Sequence, residues 1–244
     1  MMQGLILAGG RGSRLAAEGV ATPKALVEVA GRPQIVHLVE TFAGLGCETI
    51  TCMVRDDVPT DWYARVKAAN VTVRSCHTPS SLHTLAAGLA VAPPGPVFCA
   101  MVDTVMPVAD WRRVYQAVTD RLATGSLAVL AVTPFVDDEL PVYVTRDAAG
   151  FAIEIADRPS ASVPPPPGAA GSPVVTGGVY GFSASARRLA GVAVASLHRM
   201  RAFLKLLVEL KTPVATVEVP RIIDLDHKRD LEAAEAWLAA NVER

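Results

Sequence analysis

The sequence predicts an α/β fold with a mostly parallel central sheet and helices on both faces. Continuous apolar runs alternate with segments whose apolar residues recur every three or four positions, which is typical of buried strands separated by helices. The third observation is the size of the chain. With 244 residues, 51% of them hydrophobic, it can bury a core without a disulfide or a metal. The predicted strands of the first half are residues 3–8, 48–54, 71–74, 97–102 and 126–133.

Helical periodicity fills the intervals between these strands. A helix follows Gly31-Arg32-Pro33 and ends at Gly44 and Gly46, and a second covers residues 81–91. A third helix begins at Pro107, and a short one is expected around Trp62–Lys67. Because the carboxyl ends of parallel strands form the ligand-binding edge of such a sheet, residues that follow strands 3–8 and 97–102 are candidates for a site.

The pattern changes after residue 134. A short extra β segment is predicted at 141–145 and 151–155, before a proline-rich loop at 163–168 whose role the sequence leaves open. A strand at 174–182, a helix around 196–210, a strand at 214–219 and a closing helix from Lys228 complete the chain. No internal repeat or linker divides it, so we expect one domain, 1–244.

Composition excludes several classes of protein. The net charge of -1 and the lack of a basic stripe argue against nucleic acid as a partner. The four cysteines form no C-x-x-C pair, so a zinc or redox site has little support. The first residues carry no charged segment, and their apolar run is too short for a signal peptide or a membrane span. We therefore expect a cytoplasmic protein without a membrane partner, and its oligomeric state is unknown.

The stretch from residue 5 to 24, LILAGGRGSRLAAEGVATPK, joins a buried strand to glycines and cations. Glycines let main-chain N–H groups approach phosphate oxygens, and Arg14 and Lys24 can offset the charge of a triphosphate. The dinucleotide fingerprint fails because Leu15 replaces its third glycine, and no Gly-Lys-Ser/Thr triplet supports a Walker A loop. A plain strand–turn–helix would leave Arg14 and Pro23-Lys24 unexplained.

LAGGRGSRL followed by TPKALVEVAGRP resembles the signature of the sugar-1-phosphate nucleotidylyltransferases, which have a Rossmann-like, GT-A-like fold. The resemblance implies that residues 1–133 form a nucleotide-binding half, and that residues 134–244 form an acceptor-binding half with a closing helix. It also implies that Arg14 and Lys24 are catalytic, acting on the phosphates. The implied nucleotide-binding residues are Leu7, Ala8, Gly9, Gly10, Gly12, Ser13, Ser80 and Ser81.

Two carboxylates match the family's Mg²⁺ ligands. Asp103 follows strand 97–102, although Val102 replaces the glycine that the family often has before it. IIDLDHKRDL is similar to the family's C-terminal Asp-x-Asp pattern and assigns the second catalytic and metal-binding carboxylate to Asp226. Asp224 and Asp226 alternate along an extended segment, so we expect only one of them to face the site. The alternative is that Asp103 and Asp226 cap helices.

The acceptor-binding residues implied by the resemblance are Thr104, Arg158 and Gly178. Arg158 lies where the family has a lysine that grips the acceptor's phosphate, and a solvated surface arginine is the alternative. Gly178 would let the acceptor approach the backbone, or would simply mark a bulge. The segment with Ser80 and Ser81 is more like the phosphocholine-type members, and helix capping is at least as good an account of these serines.

These features predict a Mg²⁺-dependent nucleotidyltransferase in which a phosphorylated small-molecule acceptor attacks a nucleoside triphosphate and releases pyrophosphate. A sugar 1-phosphate is the expected acceptor, and a cytidylyltransferase for a small phospho-alcohol or phosphonate such as phosphocholine is the alternative. The molybdopterin-guanine branch usually has Asp-Lys instead of Pro23-Lys24, and Asp224-Leu225-Asp226 disfavours the methylerythritol cytidylyltransferases. A non-catalytic nucleotide-binding regulatory subunit remains open. The base is not identified among UTP, CTP, GTP and dTTP.

Overall fold

The computed structural model describes residues 1–66, 68, 70–159 and 173–241. A nine-stranded sheet crosses this part of the chain in the order β10-β9-β11-β6-β1-β4-β5, and β8 and β12 extend it from β11. The strands of this sheet are β1 (Gln3–Ala8), β4 (Ile50–Arg55), β5 (Val71–Cys76), β6 (Val97–Met101), β8 (Ala128–Thr133), β9 (Tyr143–Arg146), β10 (Ala152–Ala156), β11 (Val174–Phe182) and β12 (Val214–Glu218).

Two small ribbons lie outside the main sheet, β2 (Glu28–Val29) with β3 (Arg32–Pro33), and β7 (Thr104–Val105) with β13 (Ile223–Asp224). The helices are α1 (Ser13–Ala17), α2 (Gln34–Gly44), α3 (Ser81–Val91), α4 (Val108–Ala123), α5 (Ala184–Ala193), α6 (Met200–Glu209) and α7 (Lys228–Ala240). Single 3₁₀ turns cover Lys24–Leu26 and Asp61–Arg65. None of the helices in the described part of the chain is long and apolar enough to cross a membrane.

Strand direction divides the sheet at β6. The strands β6, β1, β4 and β5 are parallel, as expected for strands joined by helical crossovers, whereas β11 runs antiparallel between β6 and β8. The carboxyl ends of β1 and β6 therefore lie side by side, with Leu7 opposite Met101. This register places the glycine loop next to Asp103.

The core has a layer on each face of the sheet. One layer contains Ile6, Phe42, Phe98 and Trp111 between the sheet and helices α2 and α4. The other contains Leu5, and helices α3, α5 and α6 cover it. Alternation along β1 sends successive side chains to the two layers, which explains why this strand reads as a continuous apolar run. The predicted fold class is confirmed.

The structure contains most of the predicted elements, and it also contains one helix, α5, that the sequence did not predict. Helix α5 was missed because its buried residues are the small alanines Ala186, Ala190 and Ala193, which give little hydrophobic contrast. Ser183 caps it, accepting a hydrogen bond from the Ala186 amide at 3.2 Å. The predicted short helix at 62–67 is a 3₁₀ turn, and its Lys67 lies outside the described residues, as does the predicted proline loop at 163–168.

The cysteines behave as core residues rather than as reactive thiols. Cys52 and Cys99 are fully buried in strands β4 and β6. Burial raises the pKa of the Cys52 thiol to about 12, and that of Cys47 likewise to about 12, so neither is a thiolate near neutral pH. Cys52 and Cys99 therefore act as small apolar residues of the core.

Candidate active site

The glycine loop leaves the end of β1 and turns sharply into α1. Gly12 has φ of +61°, a left-handed conformation that favours glycine, and a Cβ there would lie 3.2 Å from the Cβ of Lys24. The turn therefore brings the loop directly against Lys24. Leu7 and Ala8 are buried in β1, while Gly10 and Ser13 are exposed, so the loop presents its backbone at the surface of the cleft.

Lys24 is a buried cation held between two carboxylates. Only 7% of its side chain is exposed, and its ammonium pairs with Asp103 Oδ2 and, at 2.6 Å, with Asp226 Oδ1. The other oxygen of Asp226 accepts a hydrogen bond from the Arg14 guanidinium. The four residues assigned to catalysis from the sequence thus form one continuous chain of ion pairs.

A two-stranded ribbon brings distant parts of the sequence into this chain of ion pairs. Strand β7 directly follows Asp103 and pairs antiparallel with β13, so that Thr104 lies opposite Asp224. The Leu225 amide donates to the Asp103 carbonyl at 3.1 Å and continues the pairing. Buried Gln34 donates from Nε2 to the Thr104 carbonyl at 2.8 Å, which ties this ribbon to the start of α2.

The expectation that Asp224 and Asp226 face opposite sides is wrong. The Asp226 amide donates to the Asp224 carbonyl at 2.9 Å, which closes a three-residue turn and ends the extended conformation. Because alternation holds only along an extended strand, both carboxylates reach the same cleft and line the same cavity.

Helix capping does not account for Asp103 or Asp226. The residue before α4 is Pro107, which offers no side-chain cap, and Asp103 instead pairs with Lys24. The N-cap of α7 is His227, which forms a capping box with Asp230. Both aspartates instead pair with Lys24.

The charges of the cluster shift one another's pKa values. Burial disfavours the charged form of Lys24, but the nearby Asp103, Asp224 and Asp226 outweigh it and raise the pKa of Lys24. Burial also opposes ionisation of Asp226, yet Lys24 and then Arg14 lower the pKa of that carboxyl. Desolvation by surrounding protein atoms, and then the charge of Asp103, raise the pKa of Asp224 well above its usual range, although water reaches this side chain from the cleft.

Asp103 has one carboxylate oxygen without a partner among the described residues. Its Oδ1 is buried, while Oδ2 pairs with Lys24. An unpartnered anionic oxygen beside a second carboxylate suits a hard cation such as Mg²⁺, which takes few protein ligands. No group of three or more His, Cys, Asp or Glu side chains in the described ranges is arranged to hold a metal, so further ligands would have to come from substrate or water.

One cavity, of about 270 Å³, opens between the glycine loop and the start of α3. Leu7, Gly9 and Gly10 line it together with Ser80 and Ser81. Ser80 also caps α3, and its Oγ lies 2.9 Å from His83 Nδ1, so capping and a position at the cavity are compatible. The sequence interpretation missed three cationic or titratable residues of this cavity, namely Arg11, Arg55 and His77.

A second cavity has Asp226 in its lining. Its lining includes Arg14, Phe135, Thr176, Gly177, Asp224, Asp226, His227 and an acidic stretch at Asp137, Asp138 and Glu139. Glu139 lies 3.6 Å from Arg14 Nε and 3.4 Å from His227 Nε2, which connects this stretch to helix α1 directly after the glycine loop. The acidic stretch was missed because nothing in its local sequence distinguishes it from an ordinary surface loop.

The three residues that the sequence assigned to acceptor binding lie in different environments, and only one of them is buried. Thr104 is fully buried and donates from Oγ1 to the Gly177 carbonyl at 3.2 Å. Gly178 sits in a bulge of β11 with φ of +79°, and a Cβ there would lie 2.7 Å from Thr104 Oγ1, so the protein itself fills that space. Arg158 is exposed and does not line the second cavity.

Solved structures of similar architecture support the fold. The chain superposes over its full length on 98% of a Bacillus anthracis protein assigned as a glucose-1-phosphate thymidylyltransferase, with a TM-score of 0.77 and 18% identity. It likewise covers 98% of the inositol-1-phosphate CTP transferase from T. maritima, with a TM-score of 0.74 and 13% identity. At these identities the likeness establishes the fold alone.

Sequence comparison gives the family. The mannose-1-phosphate guanyltransferase of Pichia angusta is 47% identical over 53 residues, which are 22% of this chain and 15% of that relative's length. The sequence pattern of the family of MobA-like NTP transferase domains matches residues 4–210, which is most of the chain. The nucleotidyltransferase resemblance predicted from the glycine loop is confirmed, and the chain belongs to the family of MobA-like NTP transferase domains.

Proposed function

We propose that this protein is a Mg²⁺-dependent nucleotidyltransferase that joins a nucleoside triphosphate to a phosphorylated acceptor and releases pyrophosphate. The observation that carries the proposal is the position of Lys24, a buried cation that pairs with both Asp103 and Asp226, of which Asp226 lines the second cavity. One cavity adjoins the glycine loop and suits the triphosphate. The other is lined by Asp226 and suits the acceptor.

For this reaction the protein must align the two substrates and neutralise the negative charge of their phosphates. An acceptor phosphate is already anionic at neutral pH, so its oxygen can attack the α-phosphorus without a general base. Arg14 and the amides of the glycine loop would hold the departing pyrophosphate, and Lys24 would neutralise charge at the α-phosphate. Asp103 and Asp226 would hold Mg²⁺, whose chemistry is to neutralise charge on the phosphate oxygens. Asp224, whose side chain interacts with that of Asp103, is a third carboxylate available to the cation.

The acceptor is proposed to be a sugar 1-phosphate, as the resemblance of the glycine-loop signature to the sugar-1-phosphate nucleotidylyltransferases implies. The second cavity favours one further candidate. Its carboxylates at Asp137, Asp138 and Glu139 concentrate negative charge, which attracts a cationic group. A cytidylyltransferase for a phospho-alcohol with a cationic head, such as phosphocholine, is therefore the second candidate. Arg158 remains a proposed phosphate ligand, although it lies outside this cavity.

The first experiment measures thermal stabilisation by ATP, CTP, GTP, UTP and dTTP, each with and without Mg²⁺. A ligand at 100 times its Kd adds about 2.7 kcal/mol to the free energy of unfolding, which raises Tm by roughly 5–11 °C in a chain of this size. The best triphosphate is then tested for pyrophosphate release with hexose 1-phosphates and with phosphocholine. Binding without release from any pair would support a regulatory nucleotide-binding subunit instead.

The variant Asp103→Asn tests the chemical assignment. We expect it to lower kcat on the order of a hundredfold, as for other residues that stabilise charge in the transition state. Asp120→Asn is the matched control, because Asp120 lies on α4 outside both cavities. A near-normal kcat for Asp103→Asn would contradict the role proposed for Asp103.

A further inference from the structure

Asp230 is a buried carboxylate to which the proposed reaction gives no role. It is the third residue of α7 and only 6% exposed. A charged side chain this deeply buried needs partners that compensate the loss of water. Its partners therefore indicate what it does.

The partners of Asp230 are the backbone amides that carry the active-site turn. One oxygen, Oδ2, accepts hydrogen bonds from the amide of Asp226 at 3.0 Å and from the amide of His227 at 2.6 Å. The other oxygen lies 3.5 Å from Arg229 Nε. Because the Asp226 amide is also directed at the Asp224 carbonyl, Asp230 and the three-residue turn together fix the backbone of Asp226.

We propose that Asp230 is a positioning residue that holds Asp226, through its backbone, in the orientation that Arg14 and Lys24 require. This inference rests on the proposed function, since it assigns Asp230 a part in that reaction. A fixed backbone matters here because the two oxygens of Asp226 contact different cations. Rotation of residue 226 about its backbone would break both contacts together.

Helix capping alone is the competing account. The capping box of His227 and Asp230 stabilises the start of α7 whether or not the protein is an enzyme. A merely structural role predicts that loss of Asp230 lowers stability and leaves the turnover of folded protein unchanged. A positioning role predicts a fall in turnover that depends on the carboxylate of Asp226.

The experiment compares Asp230→Ala, Asp230→Asn, Asp226→Asn and the double variant Asp226→Asn/Asp230→Ala. Ala234→Gly is the stability control, because Ala234 is buried in α7 outside the turn and glycine weakens a helix interior by about 1 kcal/mol. Each variant is assayed for kcat, for KM toward the triphosphate, and for hydrogen exchange of the amides of residues 226 and 227.

We expect Asp230→Ala to lower kcat roughly 10–100-fold, the usual effect of removing the partner that orients an active-site ligand. KM should change little, and Asp230→Asn should recover most of the activity because its carbonyl oxygen can accept both hydrogen bonds. In the Asp226→Asn background the same alanine substitution should cost nothing further. Equal kcat for Asp230→Ala and Ala234→Gly, or multiplying losses in the double variant, would overturn the proposal.

Hydrogen exchange separates this proposal from the proposed function. If the unmodified protein releases no pyrophosphate with any pair of substrates, the proposed function fails, and the exchange data still decide how Asp226 is held. Faster exchange at residues 226 and 227 in Asp230→Ala, with the rest of α7 still protected, would support positioning. Unchanged protection of these two amides would overturn it.

Discussion

Replacing Lys24 with methionine tests the central cluster, because methionine is an unbranched side chain only one atom shorter than lysine and carries no charge. In the folded protein three carboxylates, those of Asp103, Asp224 and Asp226, lie close enough to raise the pKa of Lys24. Lys24→Met leaves them beside one another without their shared buried cation. Removing one partner of a buried ion pair costs about 3–5 kcal/mol, so we expect Tm to fall by roughly 6–20 °C.

The Tm difference between wild type and Lys24→Met should also depend on pH in a definite direction. The raised pKa of Lys24 means that its contribution to stability is fully present below the ordinary lysine pKa of about 10.4, and so across the range from pH 5 to 8. Without Lys24, Asp224 loses the cation that lowers its pKa, which burial and the charge of Asp103 already raise above its usual range. A carboxylate of that kind destabilises the fold while ionised, and the penalty disappears as pH falls through its folded pKa. The difference in Tm between wild type and Lys24→Met should therefore be smaller at pH 5 than at pH 8.

Differential scanning calorimetry at the two pH values measures both effects. Arg14→Met is the matched control, since 35% of the Arg14 side chain is exposed and its ion pairs are partly solvated. A pair of that kind contributes about 0–1 kcal/mol, so this variant should keep a Tm near that of wild type. A Tm for Lys24→Met equal to that of wild type at pH 8, or a difference unchanged at pH 5, would refute the account of a carboxylate cluster neutralised by Lys24.

Two further predictions concern stability outside the charged cluster. Arg187→Ala should destabilise the protein by roughly 1.5–3 kcal/mol, because the Arg187 guanidinium donates to four backbone carbonyls at and beyond the end of α3. Urea unfolding measures the loss, and the neighbouring exposed Arg188→Ala should show none. Gly178→Ala should cost about 1–3 kcal/mol, since its φ is +79° and the new Cβ would approach Thr104. Gly44 has open space around the position of a Cβ and an ordinary φ, so Gly44→Ala should be neutral or stabilising in the same assay. Equal losses for the two glycine variants would contradict the argument from the bulge.

The parts of the site that were predicted from sequence depend on local patterns. The glycine loop, Arg14 and Lys24 lie within twenty residues of one another, and a strand that ends in glycines constrains its own geometry. Asp103 follows a buried strand and so had to emerge at the carboxyl edge of the sheet. The assignment of Asp226, which lies more than one hundred residues farther along, came from family resemblance and not from spacing.

The parts that were not predicted depend on tertiary contacts. The turn that brings Asp224 beside Asp226 is set by a backbone hydrogen bond and by Asp230, neither of which a two-residue alternation pattern encodes. Glu139 reaches Arg14 only because the segment after β8 folds back over the cleft. Residues without local periodicity or a motif become functional candidates only when the fold brings them to the site.

The ion pairs of Asp226 also predict how ligands bind. Both oxygens of this carboxylate are engaged, one by Arg14 and one by Lys24, so a divalent cation that binds alone must compete with two cations of the protein. Under the proposed function, a triphosphate would draw Arg14 and Lys24 toward its own oxygens and would leave Asp226 free to bind a metal. We therefore expect each ligand to strengthen the binding of the other, because the coupling free energy between two ligands is reciprocal.

Isothermal titration calorimetry can measure this coupling. Mg²⁺ should bind weakly to the protein alone and at least fivefold more tightly in the presence of a non-hydrolysable triphosphate, which corresponds to about 1 kcal/mol of coupling. Because free Mg²⁺ also binds the triphosphate in solution, each titration is corrected with a blank that lacks protein. In Arg14→Met one oxygen of Asp226 is already released, so Mg²⁺ should bind the variant alone more tightly than it binds the wild-type protein alone. Equal Mg²⁺ affinity with and without the triphosphate would mean that the ion pairs of Asp226 do not control access to the carboxylate.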